Sequence, residues 1–235
     1  MMLCFGVWEV IYTSRISQRL NFMESSKFGN LASDTGRNGF NSLSAKAWIT
    51  KARAANRNKD YEDAIKYFNK YRAVDPSNSE VIIELGGALY NIERYDDAIA
   101  CYDNLINNLE IESKKSRSDQ ILIANALKGK GNALVAKGNY EEALRLYNKV
   151  IADAKNTKIS NDALYNKAIV YYKTQNYEKA DELFNEVTNK NLNDELAWRG
   201  KAAALEKLGK RDEAFKALIK SMKSAGIKLR KLGIR

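Results

Sequence analysis

One short pattern recurs five times along this chain of 235 residues, and it restricts the possible folds more than any other feature. The copies read YEDAIKYFNK, YDDAIACYDN, YEEALRLYNK, YEKADELFNE and RDEAFKALIK. Their alanines are Ala64, Ala98, Ala143, Ala180 and Ala214, which lie 34, 45, 37 and 34 residues apart. A period in this range is typical of proteins built from stacked supersecondary units.

Two further positions align with these alanines. A small residue lies twelve positions before each alanine, and a large apolar residue lies four positions after it. The small residues are Ala52, Gly86, Gly131, Ala168 and Ala202, and the large residues are Phe68, Tyr102, Tyr147, Phe184 and Leu218. Polar breaks such as RNKD and AKGN divide each copy, and apolar residues recur every three or four positions on both sides. Each copy is therefore predicted to form two helices that cross where the small residue meets the alanine.

This arrangement resembles the tetratricopeptide repeat, a helix pair with a period of about 34 residues. The resemblance covers residues 45–222 and implies an all-α fold, a right-handed superhelical α-solenoid of antiparallel helix pairs. The expected pairs are 45–78, 79–112, 124–157, 161–194 and 195–222, with an insertion near 110–120. After the insertion, Ser118 or Asp119 is expected to cap the next helix.

The segments outside the repeats are assigned by composition. Residues 1–44 are predicted to be a flexible N-terminal leader, in which partial helix stays open, as does a start at Met1 or at Met23. Residues 223–235 carry five basic residues and no acid, which predicts a basic C-terminal capping helix or tail. No membrane span is predicted, because the apolar run at residues 3–12 is too short and contains Glu9.

The composition argues against catalysis. The chain contains no histidine, which removes the commonest general base and transition-metal ligand. Its two cysteines, Cys4 and Cys101, have neither zinc-site spacing nor a disulfide framework, and this favours a cytoplasmic setting. The acidic pair Glu141 and Glu142 lies in the first turn of a predicted helix, where acidic residues complement the helix dipole. We therefore expect no enzyme, no metal and no cofactor.

The predicted functional surface is the concave groove, lined mainly by the first helix of each pair. By register, this groove should expose Arg53, Arg57, Tyr90, Lys128, Asn132, Tyr165, Asn166, Tyr172, Lys173 and Arg199. Aromatic, cationic and amide side chains suit an extended or helical peptide, preferably one with acidic groups. The predicted function is a non-enzymatic protein–protein interaction scaffold or adaptor. The alternative from another class is nucleic-acid association through the basic tail and groove, although the net charge of residues 45–222 is only mildly basic.

The family resemblance adds a third possibility. Some tetratricopeptide co-chaperones hold the C-terminal carboxylate of heat-shock chaperones with a set of lysine, asparagine and basic residues. Lys128, Asn132 and Asn166 match three members of that set, whereas Leu196 and Gly200 occupy the places of the other two. The set is therefore incomplete, because a carboxylate needs converging donors.

Overall fold

A computed structural model of the chain describes residues 34–111, 116–155 and 157–226, with side chains described from residue 44 onward. The regular secondary structure in these ranges consists of ten α-helices. They are α1 (Asp34–Arg57), α2 (Tyr61–Arg72), α3 (Ser79–Asn91), α4 (Tyr95–Glu110), α5 (Arg117–Ala136), α6 (Tyr140–Asp153), α7 (Lys158–Lys173), α8 (Tyr177–Lys190), α9 (Glu195–Lys207) and α10 (Arg211–Ser224). Most of the predicted leader, part of the insertion and most of the basic tail lie outside the described residues.

The chain divides into two units, Met1–Ala47 and Trp48–Arg235. In the first unit, the described backbone from Asp34 onward is helical. In the second unit, helices adjacent in sequence pack against each other from α2 through α10. The helices α3, α5, α7 and α9, here called the first helices, also contact one another in succession. This pattern confirms the fold class predicted from the sequence, an all-α solenoid of antiparallel helix pairs.

Helix starts follow local capping chemistry. Asn78, Thr157 and Asp194 each accept a hydrogen bond from a backbone N–H in the first turn of the helix that they cap. The prediction that Ser118 or Asp119 caps α5 is wrong. Ser116 is the N-cap, because its hydroxyl and the Asp119 carboxylate each bind the other residue's backbone N–H in a capping box.

Aromatic rings packed against helix backbones connect the two helices within a pair and also connect successive pairs. A Cβ atom added to Gly131 would lie 2.7 Å from the ring of Tyr147, and one on Gly200 would lie 2.5 Å from the ring of Phe184. Contacts this short would displace the ring. The packing of each ring therefore requires a glycine at the facing position. The prediction that Gly131 and Ala143 are packing residues is confirmed, since both are buried.

The turns inside the pairs share one backbone geometry. The residue before each second-helix N-cap has a positive φ; these residues are Lys59, Glu93, Gly138, Gln175 and Gly209. The next residue donates its N–H back to the first helix, as Asn139 does to the carbonyl of Leu134 at 2.8 Å. This bond satisfies a carbonyl at the helix end and directs the chain into the second helix.

Among the helices that the structure describes, none is both long and apolar enough to cross a bilayer.

Candidate functional site

A cleft of about 220 Å³ opens between α5, α7 and the start of α9. It is lined by Lys128, Asn132, Asn161, Asp162, Tyr165, Asn166, Asp194 and Leu196. Four of these, Lys128, Asn132, Tyr165 and Asn166, belong to the groove set predicted from the sequence. The cleft draws on the third, fourth and fifth helix pairs, so three repeats must be stacked to form it.

Lys128 is already paired within the cleft. Its Nζ donates to Oδ2 of Asp162 at 2.8 Å, which joins α5 to α7. The lysine side chain is 21% exposed and the aspartate side chain 41% exposed. The cation is therefore the more deeply placed member of the pair, and much of its charge is neutralised before any ligand binds.

Asn132 is the centre of a hydrogen-bond network. Its Oδ1 accepts from the Tyr147 hydroxyl at 2.7 Å and from Nδ2 of Asn166 at 2.8 Å. Burial raises the pKa of Tyr147, which keeps the phenol in the protonated form that donates. The Asn132 carbonyl and one Asn166 N–H are thus engaged in holding α5, α6 and α7 together.

The other side of the cleft presents acceptors and an apolar rim. Asp194 accepts from the backbone N–H of Ala197 at 3.0 Å, which caps α9. Oδ1 of Asn161 is buried and has no hydrogen-bond partner in the structure. Leu196 is 56% exposed at the rim.

Tyr165 lines the same cleft, one helical turn after Asn161 on α7. Its ring packs edge-on against Phe184, with 5.7 Å between ring centroids. Burial raises the pKa of Tyr165, and the charge of Asp194 raises it further, while Arg199 opposes this effect. Tyr165 is therefore a neutral, partly buried aromatic surface inside the cleft.

The remaining predicted groove residues do not line the described cleft. Arg53 donates two hydrogen bonds to Oε1 of Glu84, from Nε at 2.9 Å and from Nη2 at 2.6 Å. Tyr90 and Tyr172 pack against the tyrosines that open the following helices, Tyr95 and Tyr177, at 5.6 and 5.4 Å between ring centroids. Both lie near the C-terminal ends of their helices, α3 and α7.

Three predicted cations are exposed at other places. Arg57 and Lys173 occupy the last turns of α1 and α7. Arg199 is exposed on α9, with Nη1 3.7 Å from Oε1 of Glu195. Gly200, at the fifth place of the carboxylate set, lies against Phe184. Of the cations in the predicted groove, Lys128 is therefore paired with Asp162, and Arg199 is not among the residues that line the cleft.

Sequence reasoning missed the acidic residues of the cleft. Asp162 lies three positions before Tyr165, which is the residue equivalent to Lys128 in the next repeat. The pairs Arg53–Glu84 and Asn132–Asn166 show the same offset of one helical turn. A search for complementary residues at the repeat period minus three positions would have found all three pairs.

No group of three or more His, Cys, Asp or Glu residues in the described part of the chain is arranged to hold a metal ion.

Comparison with known proteins identifies the family. The tetratricopeptide repeat pattern matches residues 55–108 and 134–204, which together make up more than half of the chain. The chain therefore belongs to the tetratricopeptide repeat family.

The chain is similar to several individual relatives. It is 34% identical over 92 residues to a tetratricopeptide repeat-containing protein of Methanocaldococcus jannaschii, across 39% of this chain and 27% of that protein. It is 25% identical over 191 residues to Hsp70-Hsp90 organizing protein 2 of Arabidopsis thaliana, across 69% of this chain and 33% of that protein. The chain thus spans a third or less of the length of these relatives.

A solved structure shares the fold. MamA of Desulfovibrio magneticus aligns with a TM-score of 0.56 at 19% identity, over 77% of this chain and 95% of that one. The family match and the likeness to Hsp70-Hsp90 organizing proteins support a protein-interaction scaffold.

Proposed function

We propose that this chain is a non-enzymatic adaptor that binds a peptide or helix of a partner protein in the groove formed by its first helices. The cleft between α5, α7 and α9 carries this proposal. It combines an exposed leucine, Leu196, with an aromatic ring, Tyr165, and several polar groups in one concavity. Peptide-binding sites commonly consist of such apolar anchors surrounded by groups that fix orientation.

The chemistry of the lining supports binding rather than catalysis. The lining of the cleft contains no Ser, Thr, Cys or His side chain, so it lacks the nucleophile and the base of a Ser–His or Cys–His site. Its one lysine, Lys128, is held by a carboxylate 2.8 Å away. The scarcity and wide separation of the cysteines are the basis for proposing a cytoplasmic setting.

Selection from a phage-displayed library of random twelve-residue peptides tests the proposal. Enriched peptides are synthesised, and their affinity is measured by fluorescence anisotropy. The Leu196→Gln variant should bind them at least about ten-fold more weakly, because an uncharged polar side chain replaces the apolar rim. The matched control is Leu218→Gln, which changes an exposed leucine of α10 outside the cleft.

The control should retain wild-type affinity, and circular dichroism should show that both variants are folded. Failure to enrich any peptide, or equal loss in the two variants, would contradict binding in this cleft.

A further inference from the structure

We infer that the cleft selects a cationic side chain, an arginine or lysine of the partner peptide, in preference to an acidic group or a C-terminal carboxylate. This inference rests on the proposed function, because it names the chemistry of the ligand at the same site. It differs from the preference for acidic peptides that was expected from the sequence. That expectation considered the cations of the groove but not the carboxylates with which Lys128 and Arg53 are paired.

The first argument concerns the ion pair at the base of the cleft. Lys128 is 21% exposed and its partner Asp162 is 41% exposed, so the carboxylate is the more accessible of the two charges. An incoming anion would have to compete with Asp162 for the lysine. An incoming cation can instead approach the exposed part of the carboxylate while the lysine stays bound.

The second argument concerns unused acceptors. Asp194 uses one carboxylate oxygen, Oδ1, to cap α9, and its charge faces the same cleft. An ammonium group brings three donors and a guanidinium brings five, whereas a carboxylate ligand brings only acceptors. Charge-assisted hydrogen bonds from a cation to Asp194 are therefore the better match.

The third argument concerns the walls. Leu196 and Tyr165 offer apolar surface on which the methylene stem of a lysine or arginine can pack. The Tyr165 ring can also attract the charged head group. Arg199, which is not among the lining residues, lies 3.7 Å from Glu195, and this carboxylate offsets its charge.

The net charge of the whole chain has the opposite sign to the charge of the cleft lining. The formal net charge of the chain is +10, and five of its basic groups lie in residues 223–235. The lining itself holds one lysine against two aspartates, Asp162 and Asp194.

Three pools of randomised twelve-residue peptides test the inference. They share the same apolar positions and differ only in whether the remaining positions carry Arg/Lys, Asp/Glu or Gln/Asn. Each pool is prepared as the C-terminal amide, and the Gln/Asn pool also as the free acid. Peptides retained by the immobilised full chain are quantified by mass spectrometry. The Arg/Lys pool should be retained at least about ten-fold more than the Asp/Glu pool.

Isosteric variants locate the effect in the cleft. Asp162→Asn and Asp194→Asn should each remove most of the preference for the Arg/Lys pool, and asparagine at 194 keeps the helix cap. Asp103→Asn is the matched control. Asp103 also accepts from a lysine, Lys130, at 2.8 Å and is also 41% exposed, but it lies outside the cleft. This variant should retain the wild-type preference.

The outcomes separate the inference from the proposed function. Stronger retention of the Asp/Glu pool or of the free acid overturns the inference and leaves peptide binding intact. An equal loss in Asp103→Asn also overturns it, because the preference would then follow total charge. Retention of no pool contradicts both the inference and peptide binding.

Discussion

Phe184 and Leu218 occupy the same position in two successive repeats, but their surroundings differ. Phe184 on α8 is completely buried, and its ring lies against Gly200 of the next first helix, α9. Leu218 on α10 is 43% exposed, and Phe215 beside it is 55% exposed. No further first helix follows α10 in the described part of the chain. The burial of this position is therefore supplied largely by the following repeat.

Truncating the two residues should give the largest contrast. Phe184→Ala should lower the free energy of unfolding by about 3–5 kcal/mol, because it removes a ring from a fully packed junction. Leu218→Ala should lower it by less than about 1 kcal/mol, because little of its contact surface is lost. Urea unfolding followed by circular dichroism measures both values. Similar losses in the two variants would show that the junction does not depend on the next repeat.

Adding a methyl group to the partner of Phe184 should give the next largest effect. In Gly200→Ala, the new Cβ would lie 2.5 Å from the ring, and overpacking of this kind costs about 1–3 kcal/mol. Gly87→Ala is the control within a helix, because a Cβ there meets nothing within 4 Å. This control should gain about 0.5–1 kcal/mol, since glycine is unfavourable inside a helix. Thermal melting of the two variants should therefore shift in opposite directions.

The ion pair across the first junction should contribute less than the ring contacts. Arg53 contacts Glu84 through two nitrogens, but their side chains are 40% and 28% exposed, and solvent weakens the attraction. A double-mutant cycle with Arg53→Ala and Glu84→Ala should give a coupling energy of about 0.5–1 kcal/mol. The same cycle for Arg94 and Asp97, an exposed pair within one turn, should give about 0.2–0.5 kcal/mol. A larger coupling in the second cycle would contradict a role for Arg53 in joining repeats.

The contribution of the linker between the first two repeats to the free energy of unfolding should depend weakly on pH. Hydrogen bonds from the Tyr71 hydroxyl and from Ser77 lower the pKa of Asp75. A carboxyl with a lowered folded-state pKa stabilises the protein above its unfolded pKa, about 3.9. This contribution is lost as the pH falls through the folded-state pKa. Between pH 6 and pH 3, Asp75→Asn should lose less stability than the wild type in urea unfolding, and an equal loss would exclude this linkage.

The repeated helix pairs could be predicted from the sequence because their packing depends on the spacing of residues within each pair. The small residues and large rings mark where helices cross, and Gly131 and Tyr147 meet as this spacing requires. Part of the cleft could be predicted for the same reason, since Lys128 and Asn132 lie one turn apart on one face of α5.

The rest of the cleft depends on how neighbouring repeats are staggered. Asp162 reaches Lys128 because α7 is offset from α5 by one helical turn, which a comparison of equivalent positions does not reveal. The same offset places Glu84 against Arg53, and this is why an arginine predicted to face a ligand is paired instead. Asp194 could be recognised from sequence as a cap, but its place in the cleft follows from the packing of α9 against α7.

The turns with positive φ have a consequence for engineering. Of the five, two use glycine, while Lys59, Glu93 and Gln175 adopt the left-handed conformation with a full side chain. That conformation costs a non-glycine residue about 1–2 kcal/mol. Glycine at these three positions would remove that cost, offset in part by the greater freedom that it gives the unfolded chain. The three turns lie outside the lining of the cleft, so the thermal tolerance of the chain can be adjusted there while the cleft itself is left unchanged.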